Sequence, residues 1–329
     1  MSALATVTDR RAWLAWRRGG IGGSDAAAIV GLDPYRGPMS VWLSKTGRLG
    51  DDEDEDLEYV MWGNLLEPAI AQQFEKRTGL LVPLSARALM LEHSAHPWMR
   101  ATIDGLVTEA GADPDGLGPI HGATPLGVVE IKTVAGFKSG AWAESVPEHF
   151  QLQCQHQLAV TGLQHAWIAV LFGGQRMEIR ELERDDDVID SLIAVEEGFW
   201  TRNVLGDVPP PTDGYATTSE DLRRAFPGGG DEAIVLPDEA LGLIRQRTEA
   251  KAVIAAGEKS CREAEQALMV MLRDSEVGWL DGKPRVTWKR FERSSVDLDG
   301  LRAHDADLVA RFTSRTPYRM FRVNGREED

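Results

Sequence analysis

Four charged side chains, Glu67, Asp104, Glu130 and Lys132, carry the chemistry this chain could perform. In GVVEIKT, residues 127–133, strand alternation puts Glu130 and Lys132 on one face and Val129 and Ile131 on the other. A carboxylate and an ammonium on an otherwise apolar segment are costly unless paired or bound to an ion. Taken alone the pair also fits a surface strand, because Glu-x-Lys tripeptides are common. Asp104, in ATIDGLV, stands between strand-like residues and before a glycine, which suits a carboxylate at a strand end or a plain turn. Glu67, in WGNLLEPAI, lies on a mostly apolar helical segment, where a charge reaching solvent is the other reading. Together the four supply what phosphodiester hydrolysis needs: hard oxygen ligands for one or two Mg²⁺ ions and a cation to orient water or neutralise charge.

The elements that must hold these residues are legible in outline. RRAWLAWRR, the turn GGIGGSD and AAAIVGL read as helix, turn, helix, with Ser24–Asp25 able to cap the second helix. PMSVWLSKTG is amphipathic, and YVMWGNLLEPAIAQQFEKRTG is a strong helix closed by glycine, with Pro68 expected to kink it or mark a first turn. Between them the acidic run Asp51–Asp56 with Glu58 reads as a solvated loop. Strand-like runs fill residues 80–108, a Gly/Pro/Asp-rich loop residues 109–126, and GVVEIKTV is a short strand. A helix is expected from about Pro147 to Thr161, then a hairpin turned at Gly173–Gly174 and a helix over 186–205. Beyond the proline-rich DVPPPTDG the texture changes. One long helix is expected over 237–275, a hairpin over 277–293 turned at Asp281–Gly282, a short helix over 297–310 and a final strand YRMFRV. The domain reading is a core over 1–212, a linker over 213–236 and a C-terminal extension over 237–329.

Composition sets few limits. The net charge of −16 at first argues against nucleic acid, yet residues 283–326 hold 11 Lys and Arg against five Asp and Glu. No apolar run is long enough to span a bilayer and the opening residues lack a secretion signal, so a cytoplasmic protein without membrane contact is expected. Cys154 and Cys261 are too few for a four-cysteine metal site, and a disulfide between them is not expected. Trp13, Trp16, Trp42 and Trp62 fall on apolar helical stripes and read as core. His149, His156 and His165 lack zinc spacing, and His156 reads as a satisfied helix residue.

The string IDG…VVEIKT resembles the core of the PD-(D/E)XK nucleases, with Ile103 where proline is usual. More narrowly, WLAWRRGGIGGSDAAAIVGLDPY, WGNLLEPAIAQQFEKRTG, MRATIDGLV, GVVEIKT and QLQCQHQLAVTG, over residues 13–162, resemble the YqaJ-type viral recombinase family, which includes lambda-type exonucleases. Five segments in register make the resemblance specific. It implies an α/β fold, a central mixed sheet flanked by helices, followed here by a long helix and a small β/α extension.

The resemblance also implies roles. Asp104, Glu130 and the Ile131 carbonyl would bind Mg²⁺, with Mn²⁺ able to substitute. Lys132 would orient water or act as base or electrostatic helper, Glu67 would hold a second metal or its water, and Gln153, paired with Gln155 in QxQ, would point at the site. Arg17, Ser24 and Thr102 would receive a 5′-terminal phosphate. The anion site has independent sense, because a glycine turn before a helix offers free N–H groups. Without the resemblance, GGIGGSD is a plain connection with a serine cap.

The implied activity is 5′→3′ exonuclease action on duplex ends in phage-type recombination, in a bacterial or phage-infected cell. The implied partners are a single-strand annealing protein and copies of the same chain in a trimer. Two alternatives stay open: a DNA-end-binding or structural module with weak or no catalysis, and an endonuclease or nickase on the same core. Lys289, Arg290 and Arg293, interleaved with Trp288 and Phe291 and followed by Arg315, Arg319 and Arg322, are candidate DNA contacts, although a strand with one wet face gives the same pattern.

Overall fold

The computed structural model describes residues 2–6 (backbone only), 10–50, 58–83, 88–109, 125–228, 230, 233–314 and 318–323. The chain divides into two compact units, Met1–Phe226 and Pro227–Asp329. The acidic run 51–56 and most of the loop over 109–126 lie outside the described residues, as does Arg315.

The first unit opens with strand β1 (Ser2–Thr6) and helices α1 (Arg10–Arg18), α2 (Gly23–Ile29), α3 (Pro38–Lys45) and α4 (Glu58–Thr78). Strands β2 (Leu89–Glu92), β3 (Arg100–Ile103), β4 (Gly105–Val107) and β5 (Gly127–Val134) follow, then a 3₁₀ helix (Gly136–Trp142) and α5 (Glu148–Thr161). Next come β6 (His165–Phe172), β7 (Arg176–Glu183), α6 (Asp186–Gly198), a π-helical turn (Phe199–Leu205) and α7 (Ala216–Ala225). β1, β2 and β3 form an antiparallel sheet; β4-β5-β6-β7 form a mixed one in which only β5 and β6 run parallel.

Period-2 burial dictates the layers. Val107, Val129, Trp167 and Ala169 pack under α4 against Ile70 and Phe74. Leu106, Val128, Ile168 and Val170 face the other way, onto Cys154 and Leu158 of α5. Truncating Leu106, Leu158 or Ile168, each fully buried, to alanine costs roughly 2–5 kcal/mol. At Gly127 a Cβ would collide with the His165 carbonyl and the Trp167 ring, so only glycine lets β5 enter the sheet there. α5 begins after Pro147 and ends at Gly162 (φ 72°), and the β6–β7 hairpin turns on Gly173 and Gly174 as expected. Pro68 lies within an unbroken α4, where the backbone carbonyl it deprives belongs to exposed Asn64.

Several expectations need correction. Strand β1 had no distinctive signal, and the described residues of the strand-like LLVPL contribute only an isolated bridge from Leu81 to Thr108. The linker expected over 213–236 is helical at α7, whose buried Thr218 bonds Ser40 of α3 at 3.2 Å and Asp213 at 3.0 Å. Its polar text, ATTSEDLRRA, hid a helix whose buried residue is Thr218, with Leu222 and Ala225 packed on the cluster around Trp42.

The second unit contains α8 (Glu239–Leu272), the hairpin β8 (Val277–Leu280) and β9 (Lys283–Thr287), α9 (Leu298–His304) and α10 (Ala306–Arg311). Asp281 and Gly282, both at positive φ, form the expected hairpin turn. β9 ends at Thr287, the Trp288 N–H still reaches the Glu276 carbonyl at 2.9 Å, and Lys289–Arg293 lies beyond the hairpin; YRMFRV forms no strand. The short helix expected over 297–310 is two, broken at Asp305, whose carboxylate caps the second.

Candidate active site

Asp104 is the single residue between β3 and β4, where the chain leaves one sheet for the other. Its Oδ2 accepts the Ile131 N–H at 2.7 Å. β4 is registered with β5 only from Gly127 to Val129. A strand residue points its N–H and C=O toward the same neighbour, so the Ile131 carbonyl emerges beyond the end of β4, on the edge Asp104 occupies.

Glu130, 3% exposed, is held by three donors. Lys132 Nζ and Gln153 Nε2 each meet Oε1 at 2.6 Å, and Gln157 Nε2 meets Oε2 at 2.6 Å. Gln153 and Gln157 reach it because positions i and i+4 share a face of α5. Gln157 was not foreseen, although that spacing was its signal. Gln155, read as Gln153's partner, instead bonds the Glu183 carbonyl at 2.7 Å and the Asp185 N–H at 3.0 Å. It ties α5 to the start of α6.

Burial first, and then the Glu130 and Glu67 carboxylates, push the Asp104 carboxyl well above its usual range, against the pull of Lys132 and the Ile131 N–H. Burial alone would lower the Lys132 ammonium, but Glu130 and Asp104 outweigh it and hold it above its ordinary value. Glu67 acts on Asp104 from α4. Carboxylates that repel one another with one lysine between them are a donor set that could hold a cation. Among the described residues no three His, Cys, Asp or Glu side chains form a ready metal cage. The donors that fit a hard divalent ion are Asp104, Glu130 and the Ile131 carbonyl. Three of the four lone-pair positions of Glu130 are taken, leaving one, and Asp104 Oδ1 receives no hydrogen bond from a described residue.

The same residues open onto a cavity of about 210 Å³ shared by Asp104, Glu130, Gln153 and Gln157 with Arg17, Ser24 and Thr102. Arg17 donates to Ser24 Oγ at 2.9 Å, and Trp13 Nε1 to Thr102 Oγ1 at 2.9 Å. Trp13 and Trp16 line this cavity and are not core; Trp42 is buried, and Trp62 is 51% exposed. Ser24 is not the helix cap. Gly22 takes that position, and the Asp25 carboxylate accepts the Gly22 N–H at 2.9 Å, which leaves the Ser24 hydroxyl for Arg17. The turn is fixed to β3 by the Ile21 N–H to the Trp98 carbonyl (2.7 Å) and the Arg100 N–H to the Ile21 carbonyl (2.8 Å). A Cβ on Gly23 would lie 3.2 Å from the Gln153 carbonyl, so glycine lets α2 lie close on α5.

Beneath the turn, Asp25 is 2% exposed and salt-bridged to Lys45 (2.7 Å) and Arg36 (2.8 Å). Burial would raise its carboxyl, but Lys45, Arg36 and Arg17 hold it far below the usual range. Sequence reading missed this pair, whose members are 20 residues apart. Behind the site, fully buried His156 bridges Glu196 Oε1 (2.9 Å) and the Arg100 carbonyl (2.8 Å). Burial opposes its protonation, but Glu196 and the Arg100 carbonyl raise it above 6.5. A raised folded value stabilises the fold below the unfolded value of 6.5, and that contribution is lost as pH climbs through the folded one. Thermal melts of the wild type should therefore fall as pH rises above about 6.5, and His156→Gln should flatten that slope and cost roughly 3 kcal/mol at pH 6.

Cys154 is buried in the core and Cys261 is exposed; both are free thiols. Lys289, Arg290 and Arg293 are exposed on an irregular segment of the second unit, apart in the chain from every residue of the site. No helix among the described residues is long and apolar enough to cross a membrane.

Sheet and site together form a mixed α/β core flanked by helices, with an aspartate at a strand end and a Glu-x-Lys pair on the adjoining strand. The model of the YqaJ-like viral recombinase domain matches residues 12–164. The chain is 30% identical over 319 residues to the protein YqaJ of Bacillus subtilis (strain 168), covering 96% of this chain and 94% of that one. It belongs to the YqaJ-like viral recombinase family. Among solved structures, an alkaline exonuclease from Laribacter hongkongensis superposes with a TM-score of 0.43 at 18% identity, over 60% of this chain and 93% of that one. A putative exonuclease from Eubacterium rectale gives 0.43 at 11%, over 73% and 98%.

Proposed function

We propose that this protein is a divalent-metal-dependent deoxyribonuclease that degrades duplex DNA from its 5′ ends. The observation that carries the reading is the single cavity joining Arg17, Ser24 and Thr102 to Asp104 and Glu130. An end-acting enzyme needs an anion grip at a fixed, short distance from the hydrolytic centre. Asp104, Glu130 and the Ile131 carbonyl would hold Mg²⁺ or Mn²⁺, with Glu67 supporting a second ion or its water. Bound there, the ion supplies charge neutralisation at phosphate oxygens and a lower pKa for water.

The chain's own residues do the rest. Lys132, paired with Glu130 at 2.6 Å, would orient the water or act as base or electrostatic helper. Gln153 and Gln157 fix the Glu130 carboxylate so that its remaining lone pair has a defined direction. Arg17 and Ser24 receive the terminal phosphate, a guanidinium being suited to grip two of its oxygens. Action in phage-type recombination, in the cytoplasm of a bacterial or infected cell, with a single-strand annealing protein and as a homo-oligomer of three, belongs to the same reading by family resemblance.

Linear and closed circular duplexes, with 5′-phosphate or 5′-hydroxyl ends and with Mg²⁺ or EDTA, separate the alternatives. The proposal expects Mg²⁺-dependent digestion of linear DNA only, faster with 5′-phosphate, and Arg17→Ala reducing that preference by about 10- to 100-fold in kcat/KM. Cutting of closed circles would establish an endonuclease on the same core. No metal-dependent cleavage of any duplex would establish a DNA-end-binding module.

A further inference from the structure

Rings and cations adjoining Lys132 have no role in the chemistry just described. Lys132 Nζ lies 5.2 Å from the centroid of the Phe150 ring, and Phe150 stands 4.0 Å from His149. Tyr35 meets His149 edge-on at 6.4 Å. Lys138 Nζ lies 5.0 Å from the Tyr35 centroid and donates to its hydroxyl at 3.0 Å. The series runs without a gap from the active-site lysine to the surface, where Tyr35 is 55% and Phe137, next to Lys138 on the 3₁₀ helix, 87% exposed. His149 and Phe150 sit four and three residues before Gln153, on the face of α5 that holds Glu130.

One exposed aromatic is ordinary. Exposed rings interleaved with lysines and joined to a hydrolytic centre match one ligand chemistry, a single DNA strand, whose bases offer π faces and whose backbone offers phosphates. An intact duplex offers the phosphates but keeps its base faces stacked on each other. The His149 imidazole is held below its usual pKa by burial, with Lys132 adding to this and Asp33 opposing it.

The geometry points to a base-stacking platform in which an unpaired nucleobase next to the scissile phosphate lies on Tyr35, with Phe137 as a second ring and Lys138 on the adjoining backbone phosphate. This rests on the nuclease reading and deepens it, since the strand being cut must part from its complement before it reaches the site. Side-chain changes at Tyr35 leave the main-chain bonds of that residue to Asp33 and Thr217 in place, so the fold tolerates them.

The test is fluorescence anisotropy with labelled oligo(dT) and with a blunt duplex, in EDTA so that nothing is cleaved. Tyr35→Ala, alone and with Phe137→Ala, should weaken oligo(dT) binding by about 5- to 100-fold and duplex binding far less. Tyr35→Phe should keep it, since the ring remains when the hydroxyl is lost. Lys138→Ala should lower the salt dependence. Unchanged oligo(dT) binding in Tyr35→Ala, equal loss in Tyr35→Phe, or no oligo(dT) binding by the wild type would overturn the platform. The nuclease reading stands or falls separately, on Mg²⁺-dependent cleavage by the wild type.

Discussion

Asp104→Asn is expected to reduce metal-dependent DNA cleavage on the order of 10³-fold while raising, or at least not lowering, the thermal midpoint in EDTA. The two halves have one cause. Asp104 is a half-buried residue whose carboxyl is pressed by Glu130 and Glu67, and the metal-free protein carries that repulsion. An asparagine still accepts the Ile131 N–H through its side-chain oxygen, removes the repulsion and removes the charge a cation needs. A residue with only a structural role gives the opposite pattern, activity and stability lost together. Lys132→Ala should also abolish cleavage, but without a stability gain, because Glu130 then keeps its two glutamines and loses its counter-ion. Cleavage rates with Mg²⁺ and melts in EDTA, measured on the same preparations, check both.

Asp25→Ala has the largest expected effect on stability, a loss of about 3–5 kcal/mol. It strands the Lys45 ammonium, whose side chain is 3% exposed, and releases the Gly22 N–H and Arg36. The pair lies directly under Ser24, so loss of 5′-phosphate preference should accompany the loss of stability. Asp25→Ala with Lys45→Met, which removes both charges, should recover a large part of the stability, as replacing buried ion pairs by apolar groups often does. Because the Asp25 carboxyl is depressed, its contribution is present above the usual 3.8 and is lost only as pH falls well below it. Denaturant melts of the single and double variants across pH 3–7 test this; a single variant as stable as the wild type contradicts it.

Local periodicity made much of the fold legible. Alternation in GVVEIKTV placed Glu130 and Lys132 on one face of β5, and Pro147 and Gly162 bounded α5 to within a residue. The meeting of Asp104 with Ile131 was legible only through the family pattern, because nothing local says that β4 stops short of it. What escaped depends on contacts distant in sequence. Asp25 read only as a possible helix cap and Lys45 carried no signal, and their burial follows from α2 and α3 closing on each other. Trp13 and Trp16 lie on an apolar stripe that indicates a covered face; here the cover is a cavity wall, with an indole N–H held by Thr102. α7 was hidden because its one buried residue, Thr218, is polar, and YRMFRV alternates like a strand without a partner strand among the described residues.

The central claim is that Asp104 and Glu130 together bind a divalent cation. Titration of Mn²⁺ into the metal-free protein, followed by electron paramagnetic resonance without DNA, tests it directly. The account predicts saturable binding by the wild type, weakened at least about tenfold in both Asp104→Asn and Glu130→Gln, with the fold of both variants intact. Mn²⁺ binding that is unchanged in the two variants, or absent from the wild type, would contradict it.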